Sequence, residues 1–130
     1  MNRIDAAVLR EMDLFLEEIY GDSKSAGQGM ADVNLGKSQV RGFESMLTST
    51  SRFSEIINYI KNQAGKDTKG AWSSVAKGLL DQLERLENKA EALGKDDPSL
   101  ILQIKIKLVR GWGKQVIAHC LYQRMLMGGR

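Results

Sequence analysis

ILQIKIKLVRGWGKQVIAHCLY, residues 101–122, decides the fold. Its first half alternates: Ile104, Ile106 and Leu108 are separated by Lys105 and Lys107, a period of two that fits a strand. The apolar pattern then runs on through Val109, Trp112, Val116, Ile117 and Leu121 without a break, which favours a helix. Wound as a helix, the stretch is apolar on two sides. Ile101, Ile104, Leu108, Trp112 and Val116 form one, and Leu102, Ile106, Val109, Ile117 and Leu121 the other. A helix apolar on two sides sits centrally in a bundle.

Working outward, Asp97-Pro98 opens this helix, with a carboxylate at the N-cap and a proline where no backbone donor is needed. Upstream, Trp72, Ala76, Leu79, Leu83, Leu86, Ala90 and Leu93 alternate spacings of four and three, predicting about six helical turns closed by Gly94. Asp81, Glu84, Arg85 and Lys89 on its outer positions supply ion-pair partners one turn apart. Val40, Phe43 and Leu47 predict a helix over about 36–48. Phe53, Ile56, Ile57, Ile60 and Ala64 predict another over about 52–64, with GKDTKG (65–70) as its separator. Ile4, Val8, Met12, Phe15 and Ile19 predict the first helix. GDSKSAGQGMADVN (21–34), rich in Gly, Ser and Asp, reads as a flexible loop. The expectation is an all-α, single-domain bundle of about five helices over residues 1–130. Its fourth helix is long and amphipathic, and its fifth is central and largely buried.

A chain of 130 residues can bury roughly two-thirds of its unfolded surface, so no disulfide staple is required. A single cysteine fits a reducing compartment. Asp5, Glu11 and Asp13 interrupt the apolar core that a secretion signal needs, and no stretch approaches the ~20 apolar residues of a membrane span. The expected location is cytoplasmic, with no membrane partner. The net charge of +3 is mild, but its distribution is not even. Asp5, Glu11, Asp13, Glu17 and Glu18 crowd residues 1–20 against Arg3 and Arg10. Residues 101–130 hold Lys105, Lys107, Arg110, Lys114, Arg124 and Arg130 and no acid. Residues 35–70 hold Lys37, Arg41, Arg52, Lys61, Lys66 and Lys69 against three acids. Such polarity suits a polyanion binder, or subunits that stack acidic face on basic face.

Catalytic constellations are missing. His119 and Cys120 are the chain's single histidine and single cysteine. Neighbours on a helix project about 100° apart and cannot hydrogen-bond as base and nucleophile. Cys120 reads as a small buried residue and His119 as an interior or interface polar one. A zinc site would need about four ligands, and neither CxxC nor HxxxH occurs. Gly27 and Gly29 form a bare G-x-G with no preceding strand, too little for a phosphate loop. Glu17-Glu18 lies on a solvated face, and Asp96-Asp97 does capping work. No cofactor, metal or catalytic residue is expected.

The cations remain. Lys37 and Arg41 share a helix face, as do Lys107, Arg110 and Lys114, at spacings that suit a phosphate backbone. A simply solvated face is the competing reading. Gly111 and Gly113 around Trp112 leave backbone bare, so that a partner or another helix can come close. They also weaken the helix by about 1 kcal/mol each relative to alanine. Trp112 and Tyr122 could stack on bases, although aromatic residues on apolar stripes usually belong to the core. The candidate nucleic-acid contacts are Lys37, Arg41, Arg52, Lys61, Lys107, Arg110, Lys114 and Arg124.

KSQVRGFESML (37–47), SRFSEIINYIKNQAGK (51–66), a long amphipathic helix and LVRGWGKQVIAHCLY (108–122) together resemble the small helical subunit of CRISPR effector complexes. The nearest likeness is to the type III small subunits. It rests on Ser38-Gln39-Val40-Arg41 at a helix start and on Arg110, Trp112 and Lys114 in the last helix, and it spans about residues 35–125. The resemblance implies a non-catalytic subunit with three kinds of partner: guide RNA and target nucleic acid, other effector subunits, and head-to-tail copies of itself. In that setting the basic face holds the target strand by its phosphates. Residues 1–34, with their Gly/Ser stretch, depart from the family pattern. Two alternatives stay open: a dimerisation module zipped through the Trp72–Leu93 heptads without nucleic acid, and an enzyme whose site the sequence conceals.

Overall fold

The computed structural model describes residues 4–67 and 70–128. Arg3, Lys69 and Arg130 lie outside them. All regular structure among the described residues is helical: α1 (Ala6–Glu18), α2 (Tyr20–Asp32), α3 (Lys37–Ser49), α4 (Phe53–Lys66), α5 (Ala71–Gly94) and α6 (Pro98–Leu126). No described helix is long and apolar enough to cross a membrane.

The strand-like alternation at Ile104–Leu108 lies inside α6, which runs unbroken for 29 residues. Asp97 caps it as its spacing predicts, its carboxylate accepting the Leu100 N–H at 3.1 Å. Ile104, Leu108, Trp112 and Val116 are fully buried, and Val109 and Ile117 are buried on the second side. That second stripe fails at its ends, because Leu102 and Leu121 are exposed. Every other helix packs on α6, so it is the central element the sequence predicts.

The predicted flexible loop at 21–34 is instead α2, which makes six helices and turns the long amphipathic helix into the fifth. The chain only bends at Ile19 between α1 and α2. Glycine and serine have poor helix propensity, but tertiary packing overrides it here. Ser23, Gly27, Met30 and Ala31 recur at helical spacing and are buried, so that three small residues and one methionine form the face that lies directly against α6. A Cβ on Gly27 would stand 2.3 Å from the Val116 carbonyl oxygen and 2.9 Å from the Cys120 amide nitrogen. No side chain fits there.

The α5 stripe Trp72, Ala76, Leu79, Leu83, Leu86 and Ala90 is buried within the chain's own core. A dimer zipped through those heptads therefore has no surface to use. Gly94 ends α5 where a Cβ would strike Ile101, and Lys95 takes the left-handed cap at φ 46°. Phe43, Tyr59, Trp72 and Trp112 meet edge-on or stacked at the junction of α3, α4, α5 and α6. Such ring pairs add about 0.5–1.5 kcal/mol each beyond the area they bury.

Gly27→Ala is expected to lower the unfolding free energy by about 1–3 kcal/mol, since backbone must move to admit the methyl group. Gly29→Ala, which opens onto empty space on the same helix, is expected to raise it by up to about 1 kcal/mol. Urea denaturation of the two variants checks the pair.

Candidate functional site

Lys107, Arg110 and Lys114 step by three and four along α6, which places them on one outward face. They line an open groove of about 590 Å³ with Ser51 of the α3–α4 connection and with Leu102, Gln103, Ile106 and Gly111. No carboxylate lines it. The groove is apolar on its floor and cationic along its length. From Lys107 to Lys114 the helix rises about 10 Å, the axial length of about three phosphates on one strand of duplex DNA.

Arg110 is held in place. Its Nη2 donates to the Thr50 carbonyl at 3.0 Å and its Nε to the Leu47 carbonyl at 3.4 Å. These carbonyls close the C-terminal end of α3, where a cation is favoured by the helix dipole. Thr50 in turn accepts the Arg52 N–H at 3.1 Å and donates to the Glu55 carboxylate, which sets the turn that carries Ser51. A guanidinium fixed in this way has little side-chain freedom left to lose when an anion arrives.

The other candidates do not join this groove. Lys37 and Arg41 are exposed on α3, where Gln39 between them reaches back to accept the Gly36 N–H at 3.0 Å. Arg52 pairs with Glu55 at 3.8 Å. Lys61 lines a separate depression with Asp81, Glu84 and Glu87, a setting that repels phosphate. Arg124 points inward, buried, and donates to the Leu35 carbonyl after α2, so its role is structural. Lys105 is also engaged, bridging Glu87 at 3.0 Å and lying over the Phe53 ring.

The glycines around Trp112 serve the chain itself. A Cβ on Gly111 would meet Leu16 of α1 at 2.6 Å, and one on Gly113 would meet Leu47 of α3 at the same distance. The close approach they allow is internal, not that of a partner. Trp112 is fully buried; its Nε1 donates to Gln82 at 2.8 Å, and Gln82 donates to the Asp22 carbonyl at 3.1 Å. Its ring, closed within the core, presents no face on which a base could stack.

The His119–Cys120 pair separates as helix geometry requires. His119 Nε2 shares a hydrogen bond of 2.7 Å with the Tyr20 hydroxyl on α2, whereas Cys120 is fully buried. Burial pushes the Cys120 thiol above its ordinary pKa, and nearby Arg124 offsets part of that rise. A buried neutral thiol is a poor nucleophile. Among the described residues no three His, Cys, Asp or Glu side chains converge as metal ligands.

Sequence spacing found the three cations but missed Ser51, Leu102 and Ile106. Reading Gln103, Lys107, Arg110 and Lys114 as a single stripe would have pointed to the α6 part of the groove. Ser51 arrives through tertiary packing alone. No protein-family model, curated protein or solved structure matches this chain.

Arg124→Ala is expected to cost about 2–3 kcal/mol by leaving the Leu35 carbonyl without its charged donor. Lys107→Ala and Lys114→Ala should each change stability by less than about 0.5 kcal/mol. Chemical unfolding separates the structural cation from the free ones. Iodoacetamide near neutral pH should leave Cys120 unmodified in the folded chain and alkylate it in guanidinium, as read by mass spectrometry.

Proposed function

We propose that this chain is a non-catalytic helical subunit that holds a nucleic-acid strand by its phosphates in the α6 groove. The observation that carries this reading is the alignment of Lys107, Arg110 and Lys114 along one open groove that no carboxylate lines. Phosphate contacts of this kind position a strand without reading its sequence. The apolar floor of Leu102 and Ile106 offers sugar or base faces a place to rest, and the fixed Arg110 sets the register.

The likeness of residues 37–47 and 108–122 to type III CRISPR small subunits supports placing the chain in a ribonucleoprotein effector complex. There several copies would lie along the guide–target duplex and contact its target strand. Acidic Glu11, Asp13, Glu17 and Glu18 on exposed faces of α1 provide the complement for head-to-tail stacking on a neighbour's basic side. Lys37 and Arg41, exposed on α3, remain available to neighbouring backbone subunits.

Labelled single-stranded RNA should shift with the purified chain whatever its sequence, and log affinity should fall linearly with log salt concentration. Replacing Lys107 and Lys114 together by alanine should reduce the salt slope by about 1.4, at about 0.7 per phosphate contact on a single strand. An unchanged slope and affinity in that double variant would remove the groove from the site.

A further inference from the structure

The α6 groove changes character along its length. Leu102 and Ile106, one helical turn apart, form its floor at the N-terminal end, and all three cations, Lys107, Arg110 and Lys114, lie beyond them. Leu102 is 42% exposed, and Ile106 is half-buried against the core. From Leu102 to Lys114 the helix rises about 18 Å, so the apolar part takes about the first third. The volume of about 590 Å³ lies in the range of hollows that enclose a ligand, roughly 300–1,000 Å³. A row of cations that only followed a backbone would need no such hollow beside it.

Past Leu102 a phosphate backbone finds no further counter-charge. The next depression shares Leu102 as a wall and is lined by Arg52, Phe53, Ile57, Glu87 and Lys105. Both of its cations already have carboxylates, Lys105 with Glu87 at 3.0 Å and Arg52 with Glu55 at 3.8 Å. A strand lying on Lys114, Arg110 and Lys107 therefore loses its phosphate partners at Ile106 and Leu102, where an apolar face is what the groove offers.

Resting on the phosphate reading of this groove, we infer that its apolar end is a seat for one unpaired nucleobase, so that the ligand is a single strand and not a duplex. An unpaired base has a broad face to lay on Leu102 and Ile106, and it arrives there from the same backbone whose phosphates the cations hold. A duplex keeps its bases paired and stacked inside, presents phosphates alone and would leave Leu102 uncovered. Ser51 and Gln103 on the rim carry both donor and acceptor groups, which suits any of the bases. Arg110, held by the Leu47 and Thr50 carbonyls, stands one helical turn beyond Ile106 and fixes where the strand turns from phosphate contact to base contact.

Three RNA probes of one length test this: a single strand, the same backbone with abasic sugars throughout, and the strand paired to its complement. Charge alone favours the duplex, whose phosphates are denser. The single strand should nevertheless bind more tightly than the duplex, and about fivefold more tightly than the abasic backbone, the lower end of what a base gains on a side-chain platform. Leu102→Ser should erase the difference between base-bearing and abasic strands and leave the salt slope unchanged, a split that loss of packing alone would not produce. A 2-aminopurine in the single strand gives a second readout on the parent chain. Its fluorescence should rise on binding, as the base leaves its stacked neighbours for aliphatic side chains. Equal binding of base-bearing and abasic strands, with Lys107→Ala, Lys114→Ala still lowering the salt slope, overturns the base seat and leaves the phosphate groove standing. A duplex that binds more tightly than the single strand overturns it too. Slope and affinity unmoved by the double lysine variant remove the groove and the seat together.

Discussion

The bundle depends on one close approach, α2 against α6 at Gly27. With a Cβ position only 2.3 Å from the Val116 carbonyl, no other residue allows the two backbones to lie this near. The contact brings Asp22 within reach of Gln82 and Arg85 on α5, Tyr20 to His119 and Asp32 to Gln123. α2 thereby links α5 to α6, although its own sequence has little tendency to be helical. The same device recurs along α6, where Gly111 receives Leu16 and Gly113 receives Leu47. The central helix is notched where its neighbours press deepest, and Trp112 between two notches is anchored through Gln82.

That inward commitment determines what α6 has left to offer. Its inner sides are spent on the core, so one outward face remains for a ligand or a partner. The first half of the face is cationic and borders a groove; the second half is apolar and uncharged. Arg110 joins the two roles of the helix, because the residue that caps α3 through its guanidinium also lines the groove. A polyanion held there meets a rigid surface, and it pays ordering costs mainly at Lys107 and Lys114, whose stems are free.

Five of the six helices were legible as periodicities, and Asp97-Pro98 marked the start of α6 correctly. α2 was not, because composition and propensity both argue against a helix over GDSKSAGQGMADVN. Its small residues Ser23, Gly27 and Ala31 keep helical spacing beside Met30, but spacing of small residues signals a helix only once a partner surface is known. The site was legible in part. The row Lys107, Arg110 and Lys114 follows from local geometry alone. Arg124 belongs to the same helix and the same charge run, yet a shift round the axis sends it to the core. Lys61 lost its candidacy to carboxylates on α5, a neighbour that its own helix does not reveal. The His119–Cys120 pair was resolved by the 100° step between adjacent residues, and the structure adds Tyr20 as the partner of His119.

The central claim is that α6, and not the basic face of α3 or α4, holds the polyanion. Lysine acetylation read by mass spectrometry, with and without saturating single-stranded RNA, tests it most directly. Protection should concentrate on Lys107 and Lys114 and leave Lys37 and Lys61 as reactive as in the free chain. Protection of Lys37 or Lys61 with Lys107 and Lys114 still fully reactive would contradict it.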